Sequence, residues 1–274
     1  LVLGFTPATS DLTLWQEEEF TGEVQFQNHP ILVEAAAKTR TSSSAKSRSI
    51  AGDTVTKLDI VYPSPNKASV RLVQTAENQR LVGSRGNDTF VVNHESARLE
   101  DNAGGTDTVL TSVSFGISKL KFIENLTAAT GTAAVTLGGN SNANIITGND
   151  GNNKLDGGLD RAKDTLTGGN GNDTYVIRDT LDSVVETSSG GDDTIETTIA
   201  NYSLSFANVE NVTYMGTGSA TLAGNKSANK LTGGLLVDTL FGGSGSEPAD
   251  TLIGYGGDDV YYVSRQDDVI VEGT

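Results

Sequence analysis

The chain has 274 residues, 36% hydrophobic and only 6% aromatic, with 32 glycines, no cysteine and a formal net charge of −16. Without cysteine there is no disulfide framework, and no run approaches the ~20 apolar residues of a membrane span. Excess negative charge argues against nucleic acid and against insertion into or binding to anionic membranes, whose phosphates call for Lys and Arg.

The charge is unevenly placed. Leu1–Arg85 holds nine Lys/Arg and nine Asp/Glu, whereas Gly86–Thr274 holds 10 and 26. Glycine divides the same way, four before Gly86 and 28 from there on. Two regimes therefore meet near residue 85. In the first, Leu12, Leu14, Val24 and Phe26 alternate around Thr21-Gly22, which predicts a small β-hairpin, and Ile31–Val33 reads as a further strand. Residues 1–48 are assigned to this β segment and a Ser/Thr/Ala-rich linker; the linker reading covers Thr41–Ser49. Residues 49–85 read as degenerate repeat coils, since Val70, Leu72, Leu81, Gly83 and Gly86 match Val135, Leu137, Ile146, Gly148 and Gly151 at a constant offset of 65.

From Gly86 the chain repeats. GNDTF at Gly86–Phe90 returns as GNDTY at Gly171–Tyr175 and as GDDVY at Gly257–Tyr261, at steps of 85 and 86 residues. Glu100, Glu186 and Glu272 are 86 apart, as are Asp107 and Asp193, and Glu124-Asn125 returns as Glu210-Asn211. The third copy breaks off at Thr274, so the natural protein is expected to continue. Inside each copy runs a shorter period. Asn144, Asn153, Asp164 and Asp173 occupy equivalent places, and so do Asn229, Asp238, Asp250 and Asp259. Two residues after each stands Ile146, Leu155, Leu166, Tyr175, Leu231, Leu240, Leu252 or Tyr261. A unit of about nine residues thus combines a tight glycine turn with a short strand that sends one apolar residue inward. No unit can bury anything alone, so stacking must supply the core.

The Asp or Asn that closes each turn carries the chemistry. Ca²⁺ takes ~6–8 oxygen ligands from carboxylates and carbonyls, and a glycine turn exposes carbonyls beside that side chain. If two units make one coil, turns two units apart stack. That pairs Asn144 with Asp164, Asn153 with Asp173, Asn229 with Asp250 and Asp238 with Asp259, each pair bracketing a slot for a hard cation. With only His29 and His94 and no cysteine, zinc and copper sites are not expected. The alternative for these positions is a plain turn-forming role, because Asp and Asn close turns by local hydrogen bonds. For Glu100, Glu186 and Glu272 the plain reading is a solvated strand end.

GGNGNDTY and GGLLVDTL resemble the hemolysin-type calcium-binding repeat of RTX exoproteins, and the intervening tracts are similar to the long-repeat type. The resemblance spans about residues 83–274. It implies an all-β fold, a right-handed parallel β-roll or β-solenoid with a small N-terminal β segment. It implies several calcium ions held between stacked turns. The metal residues are then Asp173, Asp259, Asp238, Asp250, Asp164, Asp88, Asn144, Asn153 and Asn229, with turn glycines Gly168, Gly169, Gly171, Gly242, Gly243 and Gly245. Asp173 and Asp259 are the leading candidates, Asn replaces Asp at three places, and Asp88 stands isolated among degenerate units. The resemblance also implies secretion to the exterior or surface of a bacterium. No catalytic constellation is found, so a non-enzymatic role is expected: a structural or adhesive protein of a surface layer, matrix or filament, or an adhesin, with copies of itself or cell-surface polysaccharide as partners. The alternative is the folding and secretion module of a secreted lipase, protease or polysaccharide epimerase.

Overall fold

The computed structural model describes residues 69–273, apart from 102–103, 160 and 244–247, together with five strands before them. All regular elements among these residues are strands. By Cα proximity the chain forms two units, 1–113 with 120–127, and 114–119 with 128–274.

In the first unit two parallel ladders grow side by side. One contains Leu58–Val61, Arg80–Val82 and Arg98–Glu100; the other contains Val70–Val73, Thr89–Val92 and Asp107–Thr111. Leu72, Phe90 and Val109 fall in register and are fully buried, as are Leu81 and Leu99 across from them. Phe90 packs on Phe122 with ring centroids 6.2 Å apart.

Antiparallel strands extend both ladders toward the N-terminus. Phe20–Phe26 pairs with His29–Ala35, which pairs with Val70–Val73; Asp11–Leu14 pairs with Ser43–Ser47, which pairs with Leu58–Val61. The hairpin therefore reverses between Phe26 and His29, not at Thr21-Gly22, which lies inside a strand. β-branched Thr21 fits a strand interior. The Ser/Thr/Ala-rich stretch expected as a linker contains the strand Ser43–Ser47, whose backbone is paired on both sides. Residues 49–57, at the start of the span read as degenerate repeat coils, lie outside the described residues.

The second unit is a parallel β-solenoid. One wall has nine strands, from Phe115–Gly116 to Val269–Glu272, and each register places an apolar residue under the last: Phe115, Leu137, Leu155, Tyr175, Ile195, Val212, Leu231, Leu252 and Ile270. Leu137 through Leu252 in this column are all fully buried. Facing strands add the column Ile146, Leu166, Val184 and the column Tyr202, Leu222, Leu240, Tyr261. Strands of three or four residues suffice because each backbone group bonds to the coil before and after, and burial is collected along the stack rather than within a coil. Of the eight inward residues expected from the period, seven are fully buried and Tyr261 is half-buried.

Candidate metal centre

Each turn ends in a carboxylate or amide that is turned inside the coil. Asp88, Asn144, Asn153, Asp164, Asp173, Asn229, Asp238 and Asp250 are all buried. The four pairs expected from the coil period are in direct contact. The backbone N–H of Asn144 donates to Asp164 Oδ1 at 2.7 Å, that of Asn153 to Asp173 Oδ1 at 2.6 Å, that of Asn229 to Asp250 Oδ1 at 2.8 Å, and that of Asp238 to Asp259 Oδ1 at 2.7 Å. The same side chains close their own turns: Asn140 N–H donates to Asn144 Oδ1 at 2.8 Å, and Ser84 N–H to Asp88 Oδ2 at 2.5 Å. Turn formation and coil bridging are thus carried by different atoms of the same residues.

The turn glycines make room for these groups. A Cβ on Gly168 would collide with Asp173 Oδ2 and the Tyr175 hydroxyl, and Gly171 adopts φ 106°, where a side chain is strained. Gly169 turns the same way, and Gly242 lies against the Asp250 carboxylate; Gly245 lies outside the described residues.

Against this geometry, a family model for the RTX calcium-binding nonapeptide repeat matches residues 138–175, 214–246 and 249–270, in four copies. Over those residues the chain carries RTX-type calcium-binding repeats. No curated protein and no solved structure matches it.

An RTX repeat needs oxygen donors that the protein leaves unused, and some turns here have them. Asp173 Oδ2 and Asp259 Oδ2 are buried without a hydrogen-bond partner among the described residues, and so is Asp193 Oδ2. A buried carboxylate oxygen without a donor is costly, and a calcium ion is the partner such a set fits. The Asn turns differ. Asn153 Nδ2 donates to Asn149 O at 3.1 Å, to Gly151 O, and to Asp173 Oδ1 at 3.2 Å, so the amide uses the turn carbonyls itself. Asn229 Nδ2 donates to Glu210 O at 3.0 Å and Asn225 Oδ1 at 3.2 Å.

The RTX ladders run further than the nonapeptide period indicated. Asp88 is not isolated: its Oδ1 accepts the Val70 N–H at 2.9 Å and its own N–H donates to Asp107 Oδ1 at 2.7 Å. Asp107 N–H continues to Glu124 Oε2 at 2.8 Å. The equivalent series in the second unit runs from Asp173 N–H to Asp193 Oδ1 at 2.7 Å, then from Asp193 N–H to Glu210 Oε2 at 2.9 Å. Asp182 and Asp268 extend the other two series, accepting from Asp164 and Asp250. Most of these residues stand among the markers of the 86-residue period, which was the signal for them.

Burial dominates the electrostatics. It pushes Asp173 up, Asp193 up to about 6 and Asp107 up to about 7, with neighbouring carboxylates adding to the last two. Glu186 is pushed up to about 8 by burial and then by Asp193. The three strand-end glutamates part company here. Glu100 is exposed and pairs with Arg80, as a solvated strand end should. Glu186 turns inward, and its carboxylate accepts the Tyr175 hydroxyl proton. Glu272 lies beside Tyr261, whose hydroxyl is pushed up by burial and by that carboxylate.

Proposed function

We propose that this chain is a calcium-folded extracellular scaffold, exported unfolded and set into shape by calcium outside the cell, with a structural or adhesive role. The observation that carries this is the set of inward carboxylate oxygens at Asp173 and Asp259 that no protein donor satisfies. Asp173 and Asp259, with Asp238 on the Asp259 ladder and Asp164 and Asp250 on the two neighbouring ones, are the ligands we assign, with turn carbonyls completing the oxygen set. Bound calcium neutralises converging carboxylates and ties each coil to the next. Where calcium is scarce, the 26 acidic and 10 basic residues of Gly86–Thr274 oppose compaction. Stabilisation then grows as RT ln(1 + [L]/Kd) for each site.

The regular stack supports a scaffold rather than a catalyst: the buried acids are spent on coil-to-coil bonds along the whole ladder. Sedimentation and binding to bacterial surface polysaccharide, each with calcium and with chelator, test the role. Calcium-dependent self-association or polysaccharide binding is the expected result. Turnover of a lipase, protease or polysaccharide substrate, abolished by a point substitution in this chain, contradicts it and favours an enzyme-linked module.

A further inference from the structure

The coil that follows each complete glycine tract lacks a glycine at the first turn position, and what replaces it changes the chemistry. Ser183–Val185 pairs in register with Thr165–Thr167, so Glu186 stacks on Gly168. The first turn position faces inward, as the collision of a Cβ on Gly168 with Asp173 and Tyr175 shows. The Glu186 side chain enters that space. One carboxylate oxygen each from Asp173, Glu186 and Asp193 lie within 4.8 Å of one another. Asp173 and Asp193 are 1% and 0% exposed. Each commits Oδ1 to a backbone N–H and leaves a buried Oδ2 with no partner. Glu186 is held by the Tyr175 hydroxyl at Oε1 and by the Thr187 N–H at Oε2, 3.1 Å away. Tyr175 and a backbone amide thus fix the third carboxylate opposite two orphaned ones.

We propose that Asp173, Glu186 and Asp193 form a divalent-cation site of their own, built once per long repeat, that takes a hard, oxygen-seeking ion of the calcium class. Glu186 and Asp193 lie outside the residues matched as nonapeptide repeats, and Glu186 brings to the Asp173–Asp193 rung a carboxylate where the matched turns have glycine. The ligand set contains no nitrogen or sulfur, and three carboxylates in a water-poor interior require a cation to be ionised together. The arrangement recurs in the first unit. Asp101 stacks on Gly83 by the same register, and a Cβ on Gly83 would lie 2.6 Å from both Asp101 Oδ1 and Asp88 Oδ2, which places those carboxylates together beside Asp107. The counterpart of Glu186 is therefore Asp101 rather than Glu100, one residue from where the 86-residue spacing pointed.

Metal content and terbium luminescence of the full chain test this. Calcium bound at saturation is counted by equilibrium dialysis for the unsubstituted chain, Glu186→Gln and the surface control Glu77→Gln. The Gln variant at 186 is expected to bind one ion fewer and the control to bind the full number. Terbium excited through tyrosine reports the site separately, since Tyr175 touches Glu186: Tyr175→Phe is expected to keep the ion count and lose sensitised emission. An unchanged count and unchanged emission in Glu186→Gln overturn the proposal and leave a proton-sharing cluster. If that variant fails to fold in saturating calcium, Tyr175→Phe decides, and undiminished emission from it overturns the site. A chain that binds no calcium at all overturns the RTX reading as well, so the two failures are distinguishable.

Discussion

The turns ending at Asn153 and Asp173 are stacked one coil apart, and they solve the same problem in opposite ways. Asn153 supplies donors as well as an acceptor, and its amide satisfies the carbonyls of Asn149 and Gly151 from within. Asp173 supplies acceptors only, so one oxygen bridges to Asn153 while the other is buried and orphaned. The difference is a single atom, nitrogen for oxygen, and it separates a turn that closes by itself from one that needs a cation. On the proposed reading, the Asn turns hold the coil without metal and the Asp turns make folding depend on it.

Leu155 sits between the two turns in the apolar column and provides the metal-independent reference. It is fully buried and in register with Tyr175. Leu155→Ala should cost the calcium-loaded fold about 2–5 kcal/mol, by denaturant unfolding. No measurable cost there would mean that the column is not the core. Exchanging the turn atoms should act in opposite directions. Asn153→Asp removes the donors to Asn149 and Gly151 and sets a new charge against Asp173, so folding should require more calcium, read as a higher titration midpoint. Asp173→Asn should make the chelated chain more stable and its stability less responsive to calcium. In calcium titrations, Asp173→Ala and Asp259→Ala should move the midpoint upward more than Asn153→Ala. Equal shifts for all three would erase the distinction between the turns.

Acid should mimic part of the effect of metal. Burial raises Glu186 from 4.5 to about 8, Asp193 from 3.8 to about 6 and Asp107 from 3.8 to about 7. A carboxyl whose folded value is raised binds its proton more tightly in the fold. Its contribution is therefore full below the unfolded value and is lost as pH rises through the folded one. Chelated protein should gain β signal as pH falls from about 8 toward 5, over the window those three values define. Calcium, which competes for the same oxygens in their ionised form, should flatten that dependence. A chelated chain with no pH response over this window would show that these acids are not buried.

Much of this was legible in the sequence, and the parts that were not have physical causes. The nine-residue period exposed the apolar column and the pairing of Asn153 with Asp173, because a repeat with one inward residue fixes which residues stack. It did not reveal that Asp88 belongs to a continuous ladder, because Asp107 closes a glycine turn outside the nine-residue period and Glu124, the next acceptor, reaches its place with a longer side chain. Glu186 and Glu100 looked equivalent by spacing, yet one residue of register separates an inward acid from one paired with Arg80 on the outside. Spacing alone cannot resolve a shift of one residue in a strand, where successive side chains face opposite ways. The strand Ser43–Ser47 was hidden by composition, since Ser and Ala carry little strand preference and its order comes from pairing on both sides.

Calcium titration followed by circular dichroism tests the coupling of metal to fold most directly. Chelator-treated protein at neutral pH should show coil-like spectra and gain β signal sigmoidally with calcium, since each site needs its neighbouring coil, while magnesium, which demands a tighter octahedral shell, should fail to substitute. Full β signal in excess chelator, or an equal response to magnesium, would contradict the account.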